Sequence, residues 1–429
     1  MRFIRYALIL VLVCLLTVSA SFLPFWQTLR QGSEQALSQG IGSPLIDPYL
    51  VSGRFAEGEK AMLARLISKP DDDKARFGLG AVQLMQGVEH LMQSLFRYGL
   101  RDNSFRTFIP ILRLPVPENP KPEVLTYDRL QSIFQTWVAD LAKVQATLEP
   151  IKDPNVKLPL RVGLIRLDFD GDGKADVEES LWRVFATVTG ANITEADARQ
   201  FLIAFDAGDA LWLQGYSHVL GALGEFLLAY DRREIFEACA HMFFAKVDTP
   251  HKFLFEGRNL LESGSGIDFV DAIAAIHLMR FPVAEAQRMT TVLNHLKAVT
   301  QLSRKSWQAI VAETDNDREW LPNAKQTGVI PDVRISQEAI DSWQSFLNEA
   351  DTLLSGKRLI PFWRSKDNKL GINLSRVFTE PRTMDLVLWV QGTAATPYLE
   401  KGKLTDFQVW NRLFNVFGGN LFGFAIWFN

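Results

Sequence analysis

The sequence predicts a mainly α-helical protein, a multi-helix array or bundle, on three observations. Apolar residues recur at helical spacing over long stretches, most clearly at 125–148, 209–227 and 336–354. Clusters of Gly, Pro and Ser separate these stretches. Only the region 359–397 differs, because its short apolar runs are broken by Pro, Gly and Asn and predict minor strands or irregular segments.

Residues 1–20 have the pattern of a secretory signal peptide. Arg2 and Arg5 precede an apolar run, which ends at small residues before position 21. The alternative is an uncleaved anchor, because apolar residues continue to Trp26 and approach the ~20 residues that span a bilayer. We expect an exported protein of the periplasm or extracellular space, which contacts a membrane only if this segment is retained. A lead-in or tether rich in Gly, Ser, Gln and Pro follows at 21–53.

The composition is that of a globular chain without a nucleic-acid partner. Hydrophobic residues make up 47% and charged residues 22% of the chain, close to ordinary globular usage. The 46 Lys and Arg against 49 Asp and Glu leave no basic excess to attract phosphate backbones. Removal of the signal peptide would leave Cys239 as the single cysteine, so no intramolecular disulfide is expected.

An N-terminal helical region is predicted at 54–160. Its first part, 54–99, predicts two helices, with Pro70 between them and Asp72 or Asp73 as the N-cap of the second. Pro70, together with Ala75 and the Leu79-Gly80 pair, resembles the junction between two tetratricopeptide repeats, although Gly58 and Arg65 stand where that family places alanines. In that family a small residue and a Leu-Gly pair pack neighbouring helices, and a binding or scaffold protein would use the helix-pair surfaces near 54–99.

The second part of this region contains a crossing segment and one long helix. Five prolines at 109–122 exclude a helix, because each Pro removes a donor and restricts the residue before it. We therefore expect an extended segment there. Helical spacing of apolar residues then runs from Leu125 to Leu148 and ends before Pro150.

The stretch from Asp168 to Glu179, called the acidic loop below, has the most specific chemical pattern. It reads D-F-D-G-D-G-K-A-D-V-E-E, with acids at the first, third, fifth and ninth positions, Gly at the sixth and Glu at the twelfth. Calcium takes six to eight oxygen ligands, and alternate residues of a tight loop present theirs to one side. The predicted Ca²⁺ ligands are the carboxylates of Asp168, Asp170, Asp172, Asp176 and Glu179 and the backbone carbonyl of Lys174.

This pattern resembles the loop of the EF-hand family, and the resemblance covers the acidic loop and the helix after it, within 161–190. Two departures limit what it implies. Ala175 stands where the family has a branched aliphatic residue that pairs with a sister loop, and no second matching loop occurs. Pro159 and Gly163 interrupt the segment where the family has an entering helix, so a short helix or a strand is expected there. We expect one structural ion and no switching.

The competing interpretation of the acidic loop is a solvated surface turn. Asp and Gly form turns without any metal. A turn has no need of Glu179 at the twelfth position, and this residue favours the calcium site. In an exported protein a weak affinity, on the order of 10⁻⁴–10⁻³ M, suits a structural ion.

A larger, aromatic-rich helical region is predicted at 191–429. The apolar stripe from Trp212 to Leu227 predicts a mostly buried helix, in which Gly215, Gly221 and Gly224 let another helix approach closely. The aromatic segment 407–428 is predicted to be core, and the alternative, a membrane-surface contact, is less favoured because the segment lacks a Lys/Arg-rich polar face.

No catalytic motif is visible, so an enzyme is not favoured. Zinc-protease, P-loop, dinucleotide-binding and nucleophile-elbow motifs are missing from the sequence, and its six histidines have no partners at ligand spacing. Asp206 and Asp209 could form a carboxylate pair for glycoside hydrolysis, although capping of the next helix explains both more simply. The favoured hypothesis is an exported calcium-binding protein that acts as a binding or scaffold protein of the cell envelope. The alternative is a calcium-stabilised envelope hydrolase.

Overall fold

The computed structural model describes residues 42–416 apart from 102–111, 113, 115, 190–191, 257–261, 264–266, 330–333 and 368. The predicted signal peptide, residues 21–41 of the lead-in and residues 417–428 of the aromatic segment lie outside the described residues. The predicted fold class is confirmed, because helices dominate and the strands are short. None of the described helices is both long and apolar enough to cross a membrane.

Fifteen α-helices occur among the described residues. In chain order they are α1 (Asp47–Leu50), α2 (Phe55–Ser68), α3 (Asp73–Arg97), α4 (Tyr127–Leu148), α5 (Leu181–Thr189), α6 (Glu195–Gln200), α7 (Ala207–Ala229), α8 (Arg233–Cys239), α9 (Phe253–Glu256), α10 (Phe269–His277), α11 (Ala286–Ala312), α12 (Gln337–Leu354), α13 (Leu374–Thr379), α14 (Leu386–Gln391) and α15 (Phe407–Val416).

Nine short strands pair into four small antiparallel sheets, β1–β2, β3–β4, β5–β8 and β6–β7–β9. The strands are β1 (Leu158–Leu160), β2 (Ile203–Phe205), β3 (Glu262–Ser263), β4 (Ile267–Asp268), β5 (Arg280–Phe281), β6 (Ile360–Pro361), β7 (Leu370–Ile372), β8 (Met384–Asp385) and β9 (Leu399–Lys401). Three of them, β6, β7 and β8, lie in the region 359–397, where strands or irregular segments are predicted. That region also forms α13 and α14, which its broken apolar runs do not predict.

The long helices pack as an array in the order α2, α3, α4, α7, α11, α12 and α15. Helix α7 lies in the middle, between α4 and α11. Its glycines make this possible, because a Cβ at Gly224 would lie 2.5 Å from Val138 of α4 and one at Gly221 would lie 3.1 Å from His295 of α11. The predicted close approach to α7 is therefore confirmed on both of its sides.

Two hydrophobic cores matter for the site. The first is formed by helices α1, α2, α3 and α4 with part of α7. It includes Leu167, just before the acidic loop, and Phe169 within it. The second is centred on the fully buried Trp307 of α11 and packs α12 and α15 beside it. The helix pair predicted at 54–99 is confirmed as α2 and α3, and Asp72 caps α3 by accepting a hydrogen bond from the Ala75 amide at 2.9 Å.

Candidate metal centre

The acidic loop is closed at its base by its own flanking backbone. Strand β1 and a 3₁₀ turn at Val162–Leu164 precede the loop. The loop ends in a 3₁₀ turn at Val177–Glu179, and α5 follows it. Arg166 and Ser180 form an antiparallel bridge, and the Leu181 amide donates to the Ile165 carbonyl at 2.9 Å. The structure has both of the expected entries, the strand β1 and the short 3₁₀ turn, and no full EF-hand entering helix precedes the loop among the described residues.

Three of the six predicted ligands are gathered in the acidic loop. Asp168, Asp170 and Asp172 each offer a carboxylate oxygen, and these oxygens lie within 4.8 Å of one another. Backbone amides hold Asp168, whose Oδ1 accepts from Gly171 at 2.7 Å and whose Oδ2 accepts from Gly173 at 3.0 Å. Carboxylate oxygens in close proximity repel each other without a cation, and they are the donors that a hard divalent ion prefers.

Of the other predicted ligands, the Glu179 carboxylate is engaged with loop amides. Glu179 accepts hydrogen bonds from the Phe169 amide through Oε1 at 2.7 Å and from the Asp176 amide through Oε2 at 2.9 Å. The Lys174 amide donates to Asp172 Oδ1 at 2.8 Å. A carboxylate oxygen has more than one lone pair, so these bonds leave acceptor capacity for an ion. Burial, followed by the nearby charges of Asp170 and Asp168, raises the pKa of Glu179.

The loop's glycines adopt the backbone that the pattern requires. Gly171 and Gly173 have φ of 75° and 87°, in the left-handed region that favours glycine. Gly173 is the residue at the predicted sharp turn. The gathered carboxylates of Asp168, Asp170 and Asp172 and the turn geometry could therefore hold a metal ion, with Glu179, Asp176 and the Lys174 carbonyl as the remaining predicted ligands.

Helix α3 attaches to the first residue of the acidic loop. Glu89 Oε2 accepts from the Asp168 amide at 2.9 Å, and Gln93 Nε2 donates to the Asp168 carbonyl at 2.9 Å. Burial, with the charges of Asp168 and Glu179, raises the pKa of Glu89 to about 7. Sequence reasoning missed both residues, and their i, i+4 spacing on α3 is the only sequence feature that places them on one face.

A second attachment explains the unusual eighth position. Gly53, in the turn after α1, has φ of 65°, and a Cβ added to it would lie 2.2 Å from the Ala175 Cβ. The Arg166 amide also donates to the Leu50 carbonyl at 3.1 Å. Ala175 therefore packs against this turn, in the position where an EF-hand would present a larger residue to a sister loop.

A second cluster of acids lies at the start of α7. Asp206, Glu313 and Glu319 bring carboxylate oxygens within 4.8 Å of one another. Burial raises the pKa of Asp206 and of Glu319, and burial with the charge of Asp206 raises the pKa of Glu313 to about 8. The raised pKa values favour the protonated, uncharged forms of these acids, so their proximity does not require a cation. Glu313 and Glu319 follow α11, so the sequence offers no indication of their contact with Asp206.

The carboxylate pair considered for hydrolysis caps α7. Asp206 Oδ1 accepts from the Gly208 amide at 2.8 Å, and Asp209 Oδ2 accepts from the Asp206 amide at 3.2 Å, which is a capping box. Asp206 is 8% and Asp209 is 2% exposed. A cavity of about 530 Å³ lies between α1 and α2 and one of about 190 Å³ between α3 and α4, and neither is lined by these two residues. The capping interpretation is therefore confirmed.

The structure also pairs two histidines that the sequence leaves apart. His218 of α7 and His295 of α11 place their Nδ1 atoms 2.7 Å from each other. Two neutral rings can share one proton at this distance, whereas two charged rings would repel. Burial, with the charge of His295, lowers the pKa of His218 to about 4, so the neutral pair is favoured.

Comparisons with known proteins identify no relative of this chain. No protein-family model matches the chain, and neither the curated proteins nor the solved structures gave a match. The function is therefore argued from the residues of the acidic loop and their surroundings.

Proposed function

We propose that the chain is an exported calcium-binding protein of the cell envelope, in which a structural Ca²⁺ stabilises a helical binding or scaffold protein. One observation supports this most. Three aspartates at alternate positions of the acidic loop bring carboxylate oxygens within 4.8 Å of one another. The same loop has Gly173 at its sharp turn and Glu179 at its twelfth position, as a calcium loop requires.

A structural role fits the way in which the loop is attached. Its base is closed by the Arg166–Ser180 bridge, its first residue contacts Glu89 of α3, and Ala175 packs against Gly53. A loop held at three places cannot open as a switch does, since a switch needs an element with two arrangements. A cation would offset the repulsion among the aspartates, and binding to the folded state alone would stabilise it.

A binding or scaffold role is preferred to hydrolysis. Helix α2 exposes Leu63 and Ile67, the latter to 84%. Both lie within 54–99, the helix pair whose surface a binding or scaffold protein would use. The alternative, an envelope hydrolase, depends on Asp206 and Asp209, which are buried and occupied with capping α7.

Thermal unfolding with calcium and with EGTA tests the proposal. Calcium should raise the midpoint of the wild-type protein, since an ion at one hundred times its dissociation constant stabilises the fold by about 2.7 kcal/mol. Glu179→Gln should lose most of this shift. Glu178→Gln is the matched control, because the neighbouring exposed side chain is not a predicted ligand. Equal wild-type midpoints with calcium and with EGTA would refute the calcium site.

A further inference from the structure

We propose that this protein docks on an anionic membrane surface through the two short helices α10 and α14. Their solvent side contains six large aliphatic residues, called the apolar face below: Val270, Ile273, Ile276, Val387, Leu388 and Val390. Each of the six is between 43% and 58% exposed. The inference goes beyond the calcium site and does not depend on it.

The two helices are neighbours, and their exposed residues lie on adjoining parts of the surface. Helix α10 contacts α14, and the pairing of Arg280 in β5 with Asp385 in β8 joins the end of α10 to the start of α14. Ile273 and Ile276 lie three residues apart and share one side of α10. Twelve large hydrophobic residues are exposed in the part of the chain that the structure describes, and six of them belong to these two helices. Such a concentration indicates an interaction surface.

The acids of these two helices are turned towards the protein. Asp271 Oδ2 contacts His241 Nε2 at 3.1 Å. Asp385 Oδ1 caps α14 by accepting from the Leu388 amide at 2.9 Å. Both carboxylates are thus hydrogen-bonded within the protein.

Exposed cations lie at the ends of the apolar face. Arg280 follows α10, Arg382 precedes β8, and Arg364 donates through Nε to the carbonyl of Gln391, the last residue of α14, at 2.9 Å. Lys366 is exposed two residues beyond Arg364. Among the described residues none of these four cations forms an ion pair, and Glu380 near Arg382 is paired with Arg376 instead. Their charge is thus available to lipid phosphates, which are anionic.

The character of the side chains favours a bilayer over a protein groove. Helix α14 has no charged residue, and its Trp389 lies half-buried at the base of the face, stacked on Tyr398 with ring centroids 5.9 Å apart. Aliphatic residues on a short helix, with Arg and Lys at its margin and a Trp beside it, are typical of proteins that insert into the headgroup layer.

An environment-sensitive fluorophore on the full chain tests the docking, in the presence of EGTA so that the calcium site has no part in the result. The label is attached to the variant Val390→Cys, and Ile67→Cys of α2 is the control. Both variants also have Cys14→Ser. The remaining Cys239 is 3% exposed and therefore poorly accessible to the reagent. Vesicles of equal parts phosphatidylcholine and phosphatidylglycerol should shift the emission of the label at 390 to the blue. Nitroxide lipids should quench it, and the label at 67 should not respond.

Removal of cations tests the choice of an anionic bilayer. Arg280→Gln with Lys366→Gln should weaken vesicle binding by roughly fivefold per cation, which corresponds to ~1 kcal/mol for each. Lys60→Gln with Lys74→Gln, at exposed positions of α2 and α3, should have little effect. The proposal is overturned if the label at 390 does not respond to vesicles. It is also overturned if that label responds to protein concentration without lipid, which would identify a second copy as the partner.

Discussion

Glu89 of α3 accepts a hydrogen bond from the Asp168 amide at 2.9 Å, so the first residue of the acidic loop is attached to a helix 79 residues earlier. The contact places an additional carboxylate beside the loop's own acids. Without a cation this carboxylate adds to their repulsion, and burial with the charges of Asp168 and Glu179 raises its pKa to about 7. Glu89 is therefore an acceptor that positions the loop and also a charge whose repulsion a bound cation would offset.

Replacement of Glu89 separates these two roles. Glu89→Ala leaves the Asp168 amide without its side-chain acceptor and should lower the free energy of unfolding in EGTA by about 1 kcal/mol. Glu89→Gln keeps an acceptor without the charge and should cost less. Urea unfolding followed by circular dichroism measures both. Lys74→Ala, at an exposed position of the same helix, is the control. If Lys74→Ala and Glu89→Ala lowered the free energy of unfolding equally, the contact between Glu89 and Asp168 would not contribute to stability.

The contact between Gly53 and Ala175 can be measured as a double-mutant cycle. Gly53→Ala places a Cβ 2.2 Å from the Ala175 Cβ and forces a side chain into a backbone with φ of 65°. Gly173→Ala has the backbone strain alone, about 1–2 kcal/mol, because nothing lies within 4 Å of its added Cβ. In EGTA we therefore expect Gly53→Ala to destabilise the protein more than Gly173→Ala.

The second half of the cycle relieves the clash. Ala175→Gly should recover part of the stability that Gly53→Ala loses, as urea unfolding of the two single variants and the double variant would show. Strictly additive effects would mean that the loop does not pack against the turn after α1.

The buried acids at the start of α7 predict a pH dependence with a defined sign. Burial with the charge of Asp206 raises the pKa of Glu313 to about 8, from 4.5 in the unfolded chain. Between these pH values the folded protein holds a proton that the unfolded chain has released. The free energy of unfolding should therefore fall as pH rises from about 4.5 to about 8.

Glu313→Gln tests this dependence, since it keeps polar atoms near Gln326 and Asp206 but cannot ionise. Denaturant unfolding at several pH values, in EGTA, should show that the free energy of unfolding of the variant falls less steeply with pH than that of the wild-type protein. The two slopes should differ by no more than the contribution of one titrating proton. Glu338→Gln, at an exposed position of α12, should retain the wild-type slope. A Glu313→Gln slope as steep as that of the wild-type protein would contradict the prediction.

The parts of the fold that depend on neighbouring residues could be predicted from the sequence. Helix α4 ends at Leu148, just before Pro150, because a proline cannot continue the helix. Asp206 caps α7 because a short acidic side chain satisfies free amides at a helix start. The three aspartates of the acidic loop come together because alternate residues of a tight loop face one side.

The parts that depend on distant residues could not be predicted. Glu89 meets Asp168 and Gly53 meets Ala175 only because α1 and α3 pack against the acidic loop. The approach of Glu313 to Asp206 requires α11 to end beside the start of α7, which no local pattern specifies. Ala175 illustrates the difference, since the sequence shows the departure from the family and the structure shows the neighbour that accounts for it.

The ladder between β1 and β2 has a consequence for how this chain tolerates change. Leu160 pairs directly with Ile203, so the segment between them departs from the helical array and returns to it at almost the same point. A segment with adjacent ends can be lengthened, shortened or transplanted while the rest of the fold keeps its path. The acidic loop, α5 and α6 thus form an insert in the topological sense, joined to the helical array by adjacent ends.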